Sequence, residues 1–174
     1  MQYQEGKNLF VEQWGLLGNQ WGINRTMAQI HALLLISPEP LSANEIMEEL
    51  QISRGNVSMA LRELMAWGIV SRVHIKGERR EYYTTEKDVW NMFRIIARER
   101  KKREVDPTID VLRDSVAELD QIPDSEAQYE REQLKHLLDF FETGVAVYKD
   151  LERETPNSIL KLLGKTLRLK KQLL

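Results

Sequence analysis

Residues 41–85 read LSANEIMEELQISRGNVSMALRELMAWGIVSRVHIKGERREYYTT, and the order of signals along that stretch decides the fold. Ser42-Ala43-Asn44-Glu45 has the form of a capping box, in which the serine hydroxyl accepts from the amide three residues on and the Glu45 carboxylate reaches back. It opens a short helix ending near Leu50. Gln51-Ile52-Ser53 is a tight connection, with Ser53 as N-cap of a second helix. That helix, Arg54 to Trp67, places Val57, Leu61, Leu64 and Met65 on one face, with Ala60 beside them. Gly68 stops it at the position where glycine takes a positive φ cheaply. The period then changes: from Ile69 to Ile75, residues Ile69, Val73 and Ile75 fall on one side and Arg72, His74 and Lys76 on the other. Lys76-Gly77-Glu78 is a turn, and Arg79 to Thr85 returns as a second strand carrying Tyr82 and Tyr83. Helix, tight turn, helix, glycine stop and basic β-hairpin make a winged helix-turn-helix. A lone hairpin is marginal in water, so this one must pack on the helices.

The second helix of such a pair exposes short polar side chains that reach base edges in a major groove about 12 Å wide. Ser53, Arg54, Asn56, Ser58, Met59 and Arg62 lie off the apolar stripe and supply that face. Gly55 leaves room for close approach. Lys76, Arg79 and Arg80 put positive charge at the wing tip, suited to flanking phosphates or a minor groove. The chain as a whole has 25 Lys+Arg against 27 Asp+Glu, a net charge of −2. Residues 53–103, however, carry 13 basic and 6 acidic residues. A positive segment in a mildly acidic protein attracts phosphate locally without general stickiness. The expected partner is double-stranded DNA.

Outward from this core the chain reads as helix. Leu9, Phe10, Trp14 and Leu17 recur at helical spacing between Glu5 and Leu17, and Gly15, Gly18 and Gly22 then read as a loosened junction. Asn24 caps a helix from Arg25 to Ile36, which Ser37-Pro38-Glu39-Pro40 stops. Thr85-Glu86-Lys87-Asp88 caps a helix reaching about Glu104, and Asp106-Pro107 restarts one with Asp as cap and Pro at the first position. Ile109, Leu112, Val116 and Leu119 form one apolar stripe. Leu134, Leu137, Phe141, Val145, Tyr148 and Leu151 form another, and Thr155-Pro156 caps a last helix with Ile159, Leu163 and Leu167. The fold class expected is mostly α with a small β-hairpin. Residues 1–105 form a winged helix-turn-helix DNA-binding domain with N-terminal helices, and residues 106–174 a helical dimerisation region. A recognition helix alone reads few base pairs, so two half-sites about 34 Å apart imply a homodimer. The a/d-like stripes over 107–152 are the expected seam.

The runs Pro40-Leu41-Ser42-Ala43-Asn44-Glu45-Ile46, Ser53-Arg54-Gly55-Asn56-Val57-Ser58 and Leu64-Met65-Ala66-Trp67-Gly68-Ile69-Val70 resemble the winged-helix core of MarR-type transcriptional regulators. The tip Lys76-Gly77-Glu78-Arg79-Arg80-Glu81-Tyr82-Tyr83 is similar to the wing of their GbsR-like branch. It departs from the typical MarR wing in lacking an Asp-x-Arg pair. The resemblance covers roughly 5–120 and implies a dimeric, repressor-like regulator that in some members senses a small molecule. The effector expected is a choline-like quaternary amine. Cation–π attraction to indole and phenol faces suits such a cation, with Trp14, Trp21, Trp67, Trp90 and Tyr82 as cage residues.

Other chemistries find little here. The chain has no cysteine, which removes disulfides, thiolate metal sites and thiol nucleophiles. His31, His74 and His136 have no metal-ligand spacing. Gly15, Gly18 and Gly22 are not followed by the Lys-Ser/Thr of a phosphate loop. Acidic pairs such as Glu48/Glu49 and Asp139/Glu142 lie opposite apolar helix faces, as solvated residues do. The expectation is no enzyme, no cofactor and no metal. The N-terminus lacks a signal-peptide pattern, and Ile30 to Ile36 is too short to span a bilayer, so a soluble cytoplasmic protein with no membrane partner is expected. The competing reading is a helical protein-interaction or scaffold module built on a winged helix, for which Met59 on the exposed helix face speaks.

Overall fold

The computed structural model describes residues 2–153. The capped helix expected around Ile159, Leu163 and Leu167 lies outside the described residues. Contacts divide the chain into two compact units, with the boundary between Ile96 and Ala97.

The first unit contains α1 (Gln2–Gln20), α2 (Arg25–Ile36), β1 (Leu41–Ser42), α3 (Ala43–Leu50), α4 (Arg54–Ala66), β2 (Val70–Val73) and β3 (Tyr82–Thr85). It also contains most of α5 (Val89–Arg100). Helix α2 is its centre and packs against α1, α3, α4 and β3. Ile30, Leu33 and Leu34 of α2 are sealed from solvent together with Ile46 of α3 and Val57 of α4. Each such side chain contributes about 1.5–3 kcal/mol by leaving water. The local signals read from sequence fix the ends. Asn24 accepts from the amides of Thr26 and Met27, the Ser42/Glu45 box closes in both directions, and Ser53 accepts from Asn56.

The glycines of α1 behave differently from the loosened junction expected. Gly15 and Gly18 lie inside the helix, where a Cβ on Gly18 would come within 2.5 Å of the Ala28 Cβ and one on Gly15 within 2.5 Å of Gln29 Cγ. They are the close-approach seam between α1 and α2. Only Gly22, at φ +78°, serves the turn.

The sheet has three strands in the order β1-β3-β2, all antiparallel, so the hairpin gains a third strand from Leu41 and Ser42. Leu41 pairs with Tyr83, and Thr85 donates its hydroxyl to the Ile69 carbonyl at 2.8 Å. The ladder is shorter than alternation suggested: β2 ends at Val73, and residues 74–81 form the wing loop around Gly77 at φ +90°. Ile75 is 38% exposed there, because the loop has no apolar surface to cover it.

Thr85 lies in the strand, so the capping of α5 falls to Asp88, which accepts from the Asn91 amide at 2.7 Å. Lys87 performs a separate task. Its ammonium donates to the carbonyls of Leu34, Leu35 and Ser37 at 2.5, 3.0 and 2.7 Å. It thereby closes the C-terminal end of α2, where the helix dipole favours a cation.

The second unit runs through a π-helical turn, Lys101–Val105, into α6 (Asp106–Leu119) and α7 (Asp124–Arg153). Asp106 is not a cap as expected. It has helical angles, its amide bonds the Lys101 carbonyl five residues back, and its carboxylate pairs with Lys101 at 2.6 Å. Pro107 offers no N–H and crowds the preceding turn, so the helix widens rather than restarts. Ile109, Leu112 and Val116 are buried in a unit where α6 packs on α7. Arg131 closes the end of α6 by donating to Leu119 and Ile122 carbonyls at 2.7 and 2.6 Å. Among the described residues no helix is long and apolar enough to cross a membrane.

Candidate nucleic-acid interface

Helix α4 is amphipathic in the way its sequence dictates. Val57, Ala60, Leu61 and Leu64 are buried, while Arg54, Gly55, Asn56, Ser58, Met59 and Arg62 are exposed. The helix is fixed at both ends. The exposed Ser53 accepts from the Asn56 amide at 3.3 Å through its hydroxyl oxygen and so caps α4. At the other end Trp67 is the C-cap and Gly68 follows at φ +75°, the C′ position expected for it.

A groove of about 390 Å³ runs beside α4. Its walls come from α3 (Asn44), α4 (Arg54, Ser58, Arg62), β2 (Arg72) and the wing (Arg80, Glu81). Two of the four arginines are oriented locally. Arg54 donates to the Asn44 side chain at 3.3 Å, and Arg62 to the Ser58 carbonyl at 3.3 Å. Arg72 pairs with Glu81 at 3.1 Å, and the Tyr83 hydroxyl donates to the other oxygen of the same carboxylate at 2.9 Å. Burial, then the bond to Glu81, raises the Tyr83 pKa, so the phenol stays a neutral donor. Below it the Glu45 carboxyl is held below the usual range by hydrogen bonds from Ser42, with Arg80 adding attraction.

The structure therefore brings Arg54, Ser58, Arg62 and Arg80 onto one surface. Asn56 and Met59 are exposed on the same helix, and Lys76 and Arg79 stand exposed in the wing loop, outside the groove lining. Sequence reasoning missed Asn44, Arg72 and Glu81. Alternation placed Arg72 on the outer side of its strand, and that was the one available signal.

The aromatic residues proposed as a cage divide into two kinds. Trp14 stacks near Phe10 and His31, with ring centroids 5.5 and 6.5 Å away, and Trp67 packs against the core with its Nε1 donating to Glu63 at 3.4 Å. Trp21 and Trp90 are exposed, and Tyr82 is half-buried in β3. Neither the groove beside α4 nor the apolar cavity of the second unit, about 290 Å³ and lined by Phe140, Phe141 and Tyr148, includes a tryptophan.

Comparison with known proteins gives this geometry its kin. The chain is 23% identical over 153 residues to the HTH-type transcriptional repressor GbsR of Bacillus subtilis, spanning 86% of this chain and 84% of that protein. It is 32% identical over 75 residues to the HTH-type transcriptional regulator MmpR5 of Mycobacterium tuberculosis, 42% of this chain and 46% of that one. A solved structure of a transcriptional regulator aligns with a TM-score of 0.68 at 25% identity, covering 84% of this chain and 95% of the other. The MarR family model matches residues 21–81, the segment from the end of α1 through the wing. Over that winged helix the chain is similar to the MarR family of transcriptional regulators.

Proposed function

We propose that this regulator is a dimeric transcriptional repressor that reads double-stranded DNA with α4 and grips the flanking backbone with its wing. The observation that carries the reading is the groove: two arginines from α4, one from β2 and one from the wing loop line it together with Ser58, and Asn56 is exposed on the same helix. Guanidinium groups and small amides are the side chains that read base edges and hold phosphates. A homodimer follows from the need for two half-sites. Helix α7 supports it with a second stripe, Leu137, Phe140, Gly144 and Val147, that leaves its large side chains exposed. In this reading residues 1–105 bind DNA and residues 106–174 dimerise. The effector is a choline-like quaternary amine, and Trp21 and Trp90 are the cage members whose indoles a ligand can reach.

The test is binding to an operator selected from a random duplex pool. Arg54→Ala or Arg62→Ala should cost about 1–3 kcal/mol and relax preference at one position. Arg79→Ala or Arg80→Ala should weaken all sequences alike and flatten the salt dependence by about one unit per lost contact. Unchanged affinity in all four folded variants would remove α4 and the wing as the reading element. The exposed Met59, 58% accessible, favours the protein-docking alternative, which that result would leave standing.

A further inference from the structure

The groove beside α4 contains a carboxylate, a charge that repels the phosphates a DNA-binding surface attracts. Glu81 is the sole acidic residue among its lining residues, set against Arg54, Arg62, Arg72 and Arg80. It is also held in place from two sides. Arg72 on β2 and Tyr83 on β3 are direct partners in the antiparallel ladder, and each bonds a different oxygen of Glu81. The Tyr83 side chain is rooted in the core, with the residue only 7% exposed, so one of the two donors to the carboxylate is held in place.

We propose that Glu81 is a built-in competitor for the DNA backbone: it occupies the Arg72 guanidinium that a phosphate would otherwise take, and so weakens sequence-independent binding. The inference rests on the DNA reading above and adds a specificity-determining residue to it. A carboxylate and a phosphate present the same acceptor geometry to a guanidinium, so one excludes the other. A phosphate entering the groove must either displace Glu81 or accept a like charge beside it. Base readers on α4 lie on a different element and keep their contacts. The sequence-independent part of the affinity therefore falls while the sequence-dependent part stays, and the ratio between operator and bulk DNA rises. The Arg72–Glu81 pair does little for the fold, since both side chains are about half exposed, at 53% and 50%. Glu81→Gln retains an acceptor for Tyr83 and is expected to fold as the parent does.

The experiment measures binding of the full chain to a labelled mixed-sequence duplex of about 30 base pairs by fluorescence anisotropy, between about 50 and about 200 mM KCl. Glu81→Gln should bind roughly five- to tenfold tighter near 0.1 M salt, and its log–log salt slope should steepen by about 0.9, the signature of one added phosphate contact. Arg72→Gln in the Glu81→Gln background should return both values to the parent level. Glu78→Gln, which removes the same charge from the wing loop, should give a smaller gain with no steeper slope. Equal binding by parent and Glu81→Gln would overturn the proposal, as would a gain that survives loss of Arg72 or is matched by Glu78→Gln. Absence of binding by every protein at low salt would instead sink the DNA reading itself.

Discussion

His31 is a titratable ring sealed into the core of the first unit, 4% exposed, with its Nε2 lacking a hydrogen-bond partner. Burial, and then the nearby positive charge of Lys87, lowers its pKa from 6.5 to about 4. Above pH 6.5 neither the folded nor the unfolded chain protonates it, and stability is full. As pH falls toward 4 the unfolded chain takes up a proton that the folded chain refuses, so stability drops; below 4 both forms are protonated and the loss levels off. At about 1.4 kcal/mol per pKa unit, the shift amounts to about 3 kcal/mol in total and about 2 kcal/mol by pH 5. His31→Leu removes the titration while keeping an apolar side chain of similar volume. Urea unfolding of both proteins, followed by far-ultraviolet circular dichroism at pH 7.5 and pH 5, isolates the term. The stability difference between parent and variant should move by about 2 kcal/mol in the variant's favour at the lower pH. With an m value of about 2 kcal/mol/M, that is a relative midpoint shift of about 1 M urea. Parallel pH dependences in the two proteins would refute the argument, because they would mean that His31 titrates alike folded and unfolded.

Lys87→Met should destabilise the chain by about 1–3 kcal/mol, since three carbonyls at the end of α2 lose their donor; urea midpoints measure it. Gly18→Ala gains about 1 kcal/mol of helix propensity but drives a methyl to 2.5 Å from Ala28, so overpacking of about 1–3 kcal/mol should win. Gly6→Ala, where a Cβ meets nothing within 4 Å, should instead raise the melting temperature. Phe140→Glu combined with Val147→Glu places charge on the exposed stripe of α7 and should convert a dimer to a monomer in sedimentation, with the helical content unchanged. A dimer that persists would move the seam elsewhere.

What sequence showed and what it concealed follow from the range of the interactions involved. Asn24, Ser42, Ser53 and Gly68 were legible because a cap is decided within four residues, and the structure places each where its local chemistry requires. Gly15 and Gly18 were misread because the same residue type loosens a turn or admits a neighbouring helix. The partner that decides between them, Ala28, lies across a tertiary contact. The strand at Leu41 escaped for a related reason: two residues have no period, and their pairing with Tyr82 and Tyr83 spans forty residues of chain. The site divides along the same line. The apolar stripe of α4 defines its opposite face, so Arg54, Asn56 and Arg62 could be named from spacing alone. Arg72 and Glu81 could not, because their meeting depends on the register of two short strands whose extent alternation overestimated. The apolar stripes of the second unit pose the harder case. A 3-4 spacing marks a surface to be covered without saying by what, and on α6 the cover is the chain itself, so Ile109, Leu112 and Val116 are spent on α7. The seam proposed for a second copy is the other, exposed stripe of α7, one that an a/d reading of Leu134, Phe141 and Val145 passes over because both stripes share Leu137. A helix thirty residues long can carry both, one face for its own unit and one for a partner.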